Sequence, residues 1–313
     1  MQQLFFVFPQ QGEKALSTAD CAALLQEYRD LMQLPASATD KLVFKRNDPD
    51  FTYALMLLEQ PVNAEIEAKL KAFTLEHKRC DVLFSENFPC FGARDLRDGA
   101  LVMDMDMTTV QIEGIDEIAR CLGVYDDVAA VTSAAMHGHL EFSESLRRRV
   151  ALLKGGDAAS VLAHVKTIMT ETSGLAQLMA YCHKLKPHFK TCIASGGFHE
   201  LISVIDHKYG LDLIAANRLK VDAEGKFTGE VDGPIVDGQA KANLVRSLKE
   251  QYGVAQERII VIGDGANDLL MMSEGGLGIA YHAKPAVQEK ARNVINVGDL
   301  RAVAALLELR AEI

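Results

Sequence analysis

The chain has 313 residues, of which 49% are hydrophobic and 24% are charged, and its formal net charge is −10. This length and composition are typical of a globular protein with roughly two domains. The acidic balance disfavours nucleic acid as a partner, since a phosphate backbone binds basic surfaces, and no apolar run reaches membrane-spanning length. A small anionic substrate stays compatible with this charge. Six scattered cysteines without C-x-x-C spacing indicate reduced thiols and a cytoplasmic protein.

The first ninety residues alternate short apolar runs with two helical patterns. Strands are predicted at 3–8, 42–44, 53–58 and 80–84, and helices follow Ser17 and Asn63, both suitable N-cap residues. The resulting order β-α-β-β-α-β is that of ferredoxin-like domains. Residues 1–90 carry no catalytic constellation, so we interpret them as a packing or dimerisation module. Dimerisation through this module would make the protein a homodimer. A regulatory domain that senses a small molecule is the alternative.

The sequence Asp104-Met-Asp106 follows an apolar run, 100–103, that has the composition of a buried strand. In an open α/β sheet, ligands bind beyond the carboxyl ends of the strands. An aspartate nucleophile beside a carboxylic acid that gives and takes a proton would suit this position. Because D-x-D is also common in turns, its meaning depends on the motifs that follow.

Residues 110–187 contain helical patterns and no predicted strand. Apolar residues at helical spacing indicate helices over about 115–122, 146–153, 161–169 and 175–185. A helical insertion after the first catalytic strand would cover the crevice and exclude water. One of the three arginines at 147–149 is expected to face inward, because successive positions spread around a helix.

Two further strands end in polar motifs. The strand 191–194 leads into Ser195-Gly196-Gly197, with a helix predicted from Phe198, and this combination favours anion binding. The strand 258–262 ends at Asp264, four residues before Asp268, and such carboxylates suit Mg²⁺. Together with Lys241 at a helix start, these motifs fit phosphoryl transfer. The absence of a Walker sequence argues against a nucleotide-dependent kinase.

In combination, these motifs resemble the haloacid dehalogenase superfamily. Residues 94–313 resemble its phosphoserine phosphatase branch, most closely at 104–108, 111–119, 145–150, 194–198, 229–237 and 262–268. The resemblance implies an α/β Rossmannoid parallel sheet in a phosphatase domain at 91–313, with a helical cap at about 112–186. The N-terminal domain resembles an ACT-like element order only loosely.

The resemblance also implies a reaction, the hydrolysis of O-phospho-L-serine to L-serine and phosphate as the last step of serine biosynthesis. Asp104 would be the nucleophile that forms an aspartyl-phosphate, and Asp106 would be the acid and then the base. The metal ligands would be Asp104, the backbone carbonyl of Asp106, Asp264 and Asp268, with Asn267 in support. The substrate-binding residues would be Ser195, Gly196 and Lys241 for the phosphate, Glu113 for the ammonium, Arg149 for the carboxylate, and Met136 and Phe142 in the cap.

Two positions depart from the family pattern. Met107 stands where the family usually has serine, and its thioether is expected to crowd the phosphate. Gly114 stands where cysteine or threonine is common, and is expected to loosen Glu113. Two alternatives stay open: a phosphatase of the same superfamily for another small phosphate ester, and a non-catalytic amino-acid sensor.

Overall fold

The computed structural model describes residues 2–13, 15–33, 41–45, 48–91, 97–137 and 139–312, apart from the side chain of Met136. These residues form a four-stranded sheet, a six-stranded sheet and a two-stranded hairpin. Among the described helices, none combines the length and apolarity needed to cross a bilayer.

The N-terminal sheet is antiparallel, with strand order β2-β3-β1-β4, and confirms the predicted ferredoxin-like arrangement. Ser17 forms a capping box with Asp20, and the Asn63 side chain accepts from the N–H of Ile66, so both predicted caps are confirmed. The elements are β1 (Gln2–Pro9), α1 (Thr18–Leu31), β2 (Lys41–Lys45), β3 (Phe51–Leu58), α2 (Ala64–His77) and β4 (Asp81–Ser85).

The larger sheet is parallel and runs β12-β11-β10-β5-β6-β7. Its strands are β5 (Gly99–Met103), β6 (Phe189–Phe198), β7 (Leu213–Asn217), β10 (Ile259–Gly263), β11 (Leu277–Tyr281) and β12 (Asn293–Ile295). Strand β5 is central, and Met103 pairs in register with Ile193 of β6 and Ile262 of β10. The residues that follow these three positions therefore meet at one edge of the sheet.

Among the described residues between β5 and β6, five helices form the predicted insertion: α3 (Gly114–Leu122), α4 (Tyr125–Met136), α5 (Phe142–Ala151), α6 (Ala158–Ile168) and α7 (Leu175–Lys184). The sequence did not predict α4, because Val128 is the only buried residue among its described side chains and no apolar stripe reveals its period. The hairpin β8 (Leu219–Val221) and β9 (Phe227–Val231) packs on this insertion through α5.

The remaining helices cover the parallel sheet: α8 (His199–Tyr209), α9 (Gly238–Tyr252), α10 (Leu269–Glu274), α11 (Pro285–Lys290) and α12 (Arg301–Ala311). The two sheets share a hydrophobic core, since Phe5 and Tyr53 belong to the same buried cluster as Leu178 and Leu306. At their adjoining edges, the buried carboxylate of Asp81 accepts backbone N–H groups from residues 296–298. The boundary between the two domains stays a prediction.

Candidate active site

The acidic motifs meet at the carboxyl end of the parallel sheet. Asp104 follows β5 and Asp264 follows β10, while Ser195 lies near the end of β6. Because β10, β5 and β6 are neighbours in register, three motifs that are distant in sequence lie side by side. The N–H of Asp104 donates to the carbonyl of Ile262 at 2.9 Å, which continues the ladder to the first catalytic candidate.

Three carboxylates form a compact cluster with a buried lysine. Each of Asp104, Asp264 and Asp268 offers an oxygen within 4.8 Å of the others. The ammonium of Lys241 lies 2.9 Å from Asp104 Oδ1 and 2.7 Å from Asp268 Oδ1. Lys241 is fully buried because the first turn of α9 faces the crevice. This arrangement couples the predicted nucleophile to the predicted metal ligands.

Desolvation dominates the electrostatics of this cluster. Burial and the neighbouring Asp268 raise the pKa of Asp104 well above its usual value, although Lys241 opposes the rise. Burial and Asp268 also raise the pKa of Asp264 to about 6, which the hydroxyl of Thr108 partly offsets by donating to Oδ1 at 3.2 Å. Carboxylates crowded in this way favour a cation.

A tight turn holds Asp104 in place. The N–H of Met105 donates to Asp104 Oδ1 at 2.7 Å, and the Thr109 hydroxyl donates to the Asp104 carbonyl at 2.5 Å. Met107, at the turn's centre, has φ +55°, a left-handed conformation that is uncommon outside glycine, asparagine and aspartate. With Oδ1 held by Met105 and Lys241, the second oxygen of Asp104 is the one available to a ligand.

Asp106 is tied to the start of the helical insertion. Its Oδ2 accepts the N–H of Gly114, the first residue of α3, at 3.0 Å. Burial raises the pKa of Asp106 to about 6. A Cβ on Gly114 would lie 2.7 Å from Leu201 Cδ1, so glycine lets α3 approach α8 closely here.

The Ser195–Gly197 segment extends β6 beyond the predicted strand 191–194, as far as Phe198. The next helix begins at His199, one residue from its predicted start. The Ser195 oxygen accepts the N–H of Gly197 at 2.9 Å, which leaves the buried hydroxyl's hydrogen for another acceptor. A Cβ on Gly197 would lie 3.1 Å from Asp106 Oδ2, so this glycine allows β6 to pack against the acid.

A cavity of about 730 Å³ opens above these motifs, and we call it the acidic cavity. Predicted site residues in its wall are Asp104, Asp106, Glu113, Phe142, Arg149, Ser195, Gly196, Asp264 and Asn267. Lys241 and Asp268 lie behind this wall. The ammonium of Lys241 contacts both Asp104 and Asp268. Met136 ends α4, and its side chain falls outside the described part of the chain.

Glu113 and Arg149 bring opposite charges to the acidic cavity. The surrounding walls partly desolvate Glu113, and together with Asp106 and Asp264 they raise its pKa to about 7. The residue is nevertheless exposed, because its side chain borders the open space of the cavity. Burial lowers the pKa of the Arg149 guanidinium, an effect that Glu113 and Asp116 oppose. Arg147 and Arg148 are exposed and Arg149 is half-buried, which confirms that one of the three faces inward.

A second cavity of about 990 Å³, the outer cavity, separates the acidic cavity from the N-terminal sheet. Glu113, Asp264 and Lys284 line both cavities, so the two adjoin. Met107 lines the outer cavity and is absent from the described wall of the acidic cavity. Its expected crowding of the phosphate stays a prediction.

Two charged residues described in this wall were given no role by the sequence analysis: Asp237 and Lys284. Asp237 immediately precedes α9 and its side chain accepts the N–H of Ala240, so a capping pattern was the available signal. Lys284 follows β11, and the end of this strand carries no acidic or glycine motif. The available signal was that Lys284 stands at the end of the strand that comes after β10 in the chain and pairs with it.

Comparison with known proteins places these features in context. A family model described as haloacid dehalogenase-like hydrolase matches residues 101–273. A phosphoserine phosphatase from Haemophilus influenzae is 46% identical over 67% of this chain and 65% of that protein, just under two thirds of its length. A phosphoserine phosphatase from Vibrio cholerae is 39% identical over 82% of this chain and 74% of that protein. The crystal structure of a HAD family hydrolase from Salmonella enterica serovar Typhi covers 98% of both chains at 28% identity, with a TM-score of 0.82.

Proposed function

This chain belongs to the haloacid dehalogenase-like hydrolases as a phosphatase, and we propose that it hydrolyses O-phospho-L-serine to L-serine and phosphate, the last step of serine biosynthesis. The observation that carries the substrate is the pair Glu113 and Arg149, which face the same cavity as the carboxylate cluster. A zwitterionic head group needs one fixed anion and one fixed cation, and a guanidinium suits a carboxylate. The names of the two relatives support the same substrate.

The cofactor in this proposal is Mg²⁺. Asp104, Asp264 and Asp268 supply the oxygen ligands that Mg²⁺ prefers, and their close approach fits a single ion. The Asp106 backbone carbonyl is the fourth protein ligand, and Asn267 supports the site. When bound, the metal neutralises carboxylate and phosphoryl oxygens, and the remaining steps belong to the chain's own residues.

Asp104 is the proposed nucleophile. Oδ1 is fixed by Met105 and Lys241, so the other oxygen attacks phosphorus in line and forms an aspartyl-phosphate. The ammonium of Lys241 stays beside the transferring group and offsets its charge. The buried hydroxyl of Ser195, with Gly196, holds phosphoryl oxygens on the opposite side.

Asp106 is the proposed acid and base. Its raised pKa of about 6 keeps a protonated fraction available near neutral pH, so it can protonate the serine oxygen as it leaves. The resulting carboxylate then takes a proton from the water that hydrolyses the aspartyl-phosphate. The hydrogen bond from Gly114 links this acid to α3, which begins directly after Glu113.

The substrate head group lies under the helical insertion in this proposal. Glu113 binds the ammonium, Arg149 binds the carboxylate, and Phe142 covers the serine carbon chain. Phe142 packs close to the Ser195–Gly197 segment, since a Cβ on Gly196 would lie 2.8 Å from Phe142 Cζ.

The proposed location is the cytoplasm. Free cysteines at all six positions support a reducing compartment of this kind.

The test is phosphate release from L-phosphoserine with Mg²⁺ and with EDTA. Two further esters dissect the head group: phosphoethanolamine lacks the carboxylate, and phosphoglycolate lacks the ammonium together with the carbon that carries it. Metal-dependent release that favours phosphoserine over both is the expected result. Preference for another ester would leave the proposed mechanism in place and refute phosphoserine as the substrate. No release from any ester would favour the amino-acid sensor.

A further inference from the structure

Lys284 is a cation held at the junction of the two cavities, and it lines both. It follows β11, the neighbour of the strand that carries Asp264. Its carbonyl accepts the N–H groups of Val287 and Gln288 at 2.9 and 3.0 Å, which fixes the backbone. Its side chain is exposed, and no hydrogen bond or ion pair to another described residue holds its ammonium.

The wall of the acidic cavity holds more acidic than basic residues, so the positive charge of Lys284 matters for an anionic substrate. The ionisable residues described in its wall are five acids and two bases, namely Asp104, Asp106, Glu113, Asp237 and Asp264 against Arg149 and Lys284. The nearby Lys241 is already shared between Asp104 and Asp268. A phosphate monoester is a dianion near neutral pH, so an acidic entrance repels it even when a divalent ion offsets two of the charges.

The charge of Lys284 acts on the acidic cavity from the wall that this cavity shares with the outer one. Glu113 lines the same shared wall, and the positive charge of Lys284 opposes the rise in its pKa. Arg149 lies on α5 in the cap and Lys284 on the sheet side, so the two cations flank the cavity from different elements. An anion that enters from the outer cavity meets Lys284 beside Glu113 and Asp264, the wall that the cavities share.

We propose that Lys284 is a substrate-capture residue, which attracts the phosphate monoester to the mouth of the acidic cavity and takes no part in the chemical step. Charged clefts focus their field along the entrance and raise the association rate of an oppositely charged substrate. The inference rests on the proposed function only for the statement that the substrate is a phosphate monoester. It holds for phosphoserine and for any other small ester of this class.

The test compares Lys284→Gln with Lys284→Arg and with Lys290→Gln, a matched control on the same helix that lines neither cavity. At low ionic strength, Lys284→Gln should lower kcat/KM about three- to tenfold and leave kcat within about twofold. Its kcat/KM should also depend less on salt, because the attraction that salt screens is gone. Lys284→Arg and Lys290→Gln should behave as the wild type does.

Two outcomes would overturn the inference: an unchanged kcat/KM with the same salt dependence, or a fall in kcat that matches the fall in kcat/KM. The assays use phosphoserine and 4-nitrophenyl phosphate in parallel. If wild type cleaves only the aryl ester, the proposed substrate fails while Lys284 is judged on that ester. If it cleaves neither, calorimetric binding of orthophosphate with Mg²⁺ decides, and equal affinity in wild type and Lys284→Gln refutes the capture role.

Discussion

Two acid-rich regions adjoin in this molecule. The fold favours the charged form of the key residue in one region and disfavours the charged forms in the other. In the first, Arg301 binds Asp48 and Asp50 from the N-terminal domain and Asp299 from its own, and we call this set the Arg301 cluster. Its neighbours raise the pKa of the guanidinium above its usual value, so the charged form is favoured in the fold. In the acidic cavity, burial instead raises the pKa of Asp104, Asp106, Asp264 and Glu113, so their charged forms are disfavoured.

The difference separates a structural ion-pair network from a site whose carboxylates suit a bound cation. In the Arg301 cluster, one guanidinium donates hydrogen bonds to all three carboxylates, so its removal would leave those charges unpaired at a cost in stability. Carboxylates gathered without enough cations store unfavourable energy that a metal ion or a cationic group releases on binding. Both regions border the outer cavity, yet they predict opposite responses to the same kind of mutation.

The largest expected effect is on chemistry in the acidic cavity. Asp104→Asn should lower kcat by at least about 10⁴-fold, since it removes the proposed nucleophile. It should leave the melting temperature unchanged or raised, because the amide relieves repulsion with Asp264 and Asp268 while Lys241 keeps Asp268. Steady-state kinetics and calorimetric melting check the two parts. Substantial residual turnover, or a marked loss of stability, would contradict the contrast between the regions.

The next effect concerns the head group. Glu113→Ala and Arg149→Ala should each lower kcat/KM for phosphoserine by about 10- to 100-fold, because each removes one charge-assisted contact. The matched substrates sharpen the result: Glu113→Ala should affect phosphoglycolate little, and Arg149→Ala should affect phosphoethanolamine little. Arg148→Ala, an exposed neighbour on α5, is the control. Equal losses on all three esters would remove both residues from head-group binding.

Breaking the Arg301 cluster should lower stability and spare chemistry. Arg301→Gln leaves three carboxylates facing one another, so it should lower the free energy of unfolding by about 1–3 kcal/mol. The lower part of that range is reasonable because Asp50 is 36% exposed. Urea denaturation measures the loss, with kcat expected within about twofold of wild type. A stable protein with impaired turnover would show that this cluster also serves the site.

The pH dependence of substrate use should report on Glu113. Its pKa, raised to about 7, means that the carboxylate is present above that pH and is lost as the pH falls below it. The ratio of kcat/KM for phosphoserine to that for phosphoglycolate should therefore fall several-fold from about pH 8 to 6. Bound Mg²⁺ moves this fall to lower pH, since it neutralises nearby Asp264. Glu113→Gln should give a flat ratio, and a sloping one would assign the titration elsewhere.

The sequence predicted the parts of the site that short motifs encode at strand ends. An apolar run followed by Asp104, Ser195 or Asp264 fixes both the strand and the position of the polar group relative to it. Because the parallel strands lie in register, strand-end motifs become neighbours without further information. Helical geometry predicted that one of the arginines at 147–149 faces inward, and the resemblance implied that it is Arg149. Its half-buried position between two exposed arginines and the core confirms the inward orientation.

The features that escaped prediction depend on tertiary contacts. Helix α4 packs with few buried side chains, so it leaves no periodic signal. The extended Ser195–Gly197 segment is set by Asn217, which donates to the Gly196 carbonyl from a later strand. Lys241 is buried and Lys284 is exposed although both stand near helix starts, and only the packing of α9 and α11 on the sheet distinguishes them.

The smallest expected effect belongs to Met107, which links the two regions because it lines the outer cavity from the catalytic turn. Met107→Ser should change kcat by less than about twofold, since the described side chain lies outside the wall of the acidic cavity. Stability should change by less than about 1 kcal/mol, because a left-handed φ is uncommon for both residues. Kinetics on phosphoserine and 4-nitrophenyl phosphate provide the measurement. A large gain on both esters would mean that the thioether obstructs the phosphate after all, and that the turn rearranges when substrate binds.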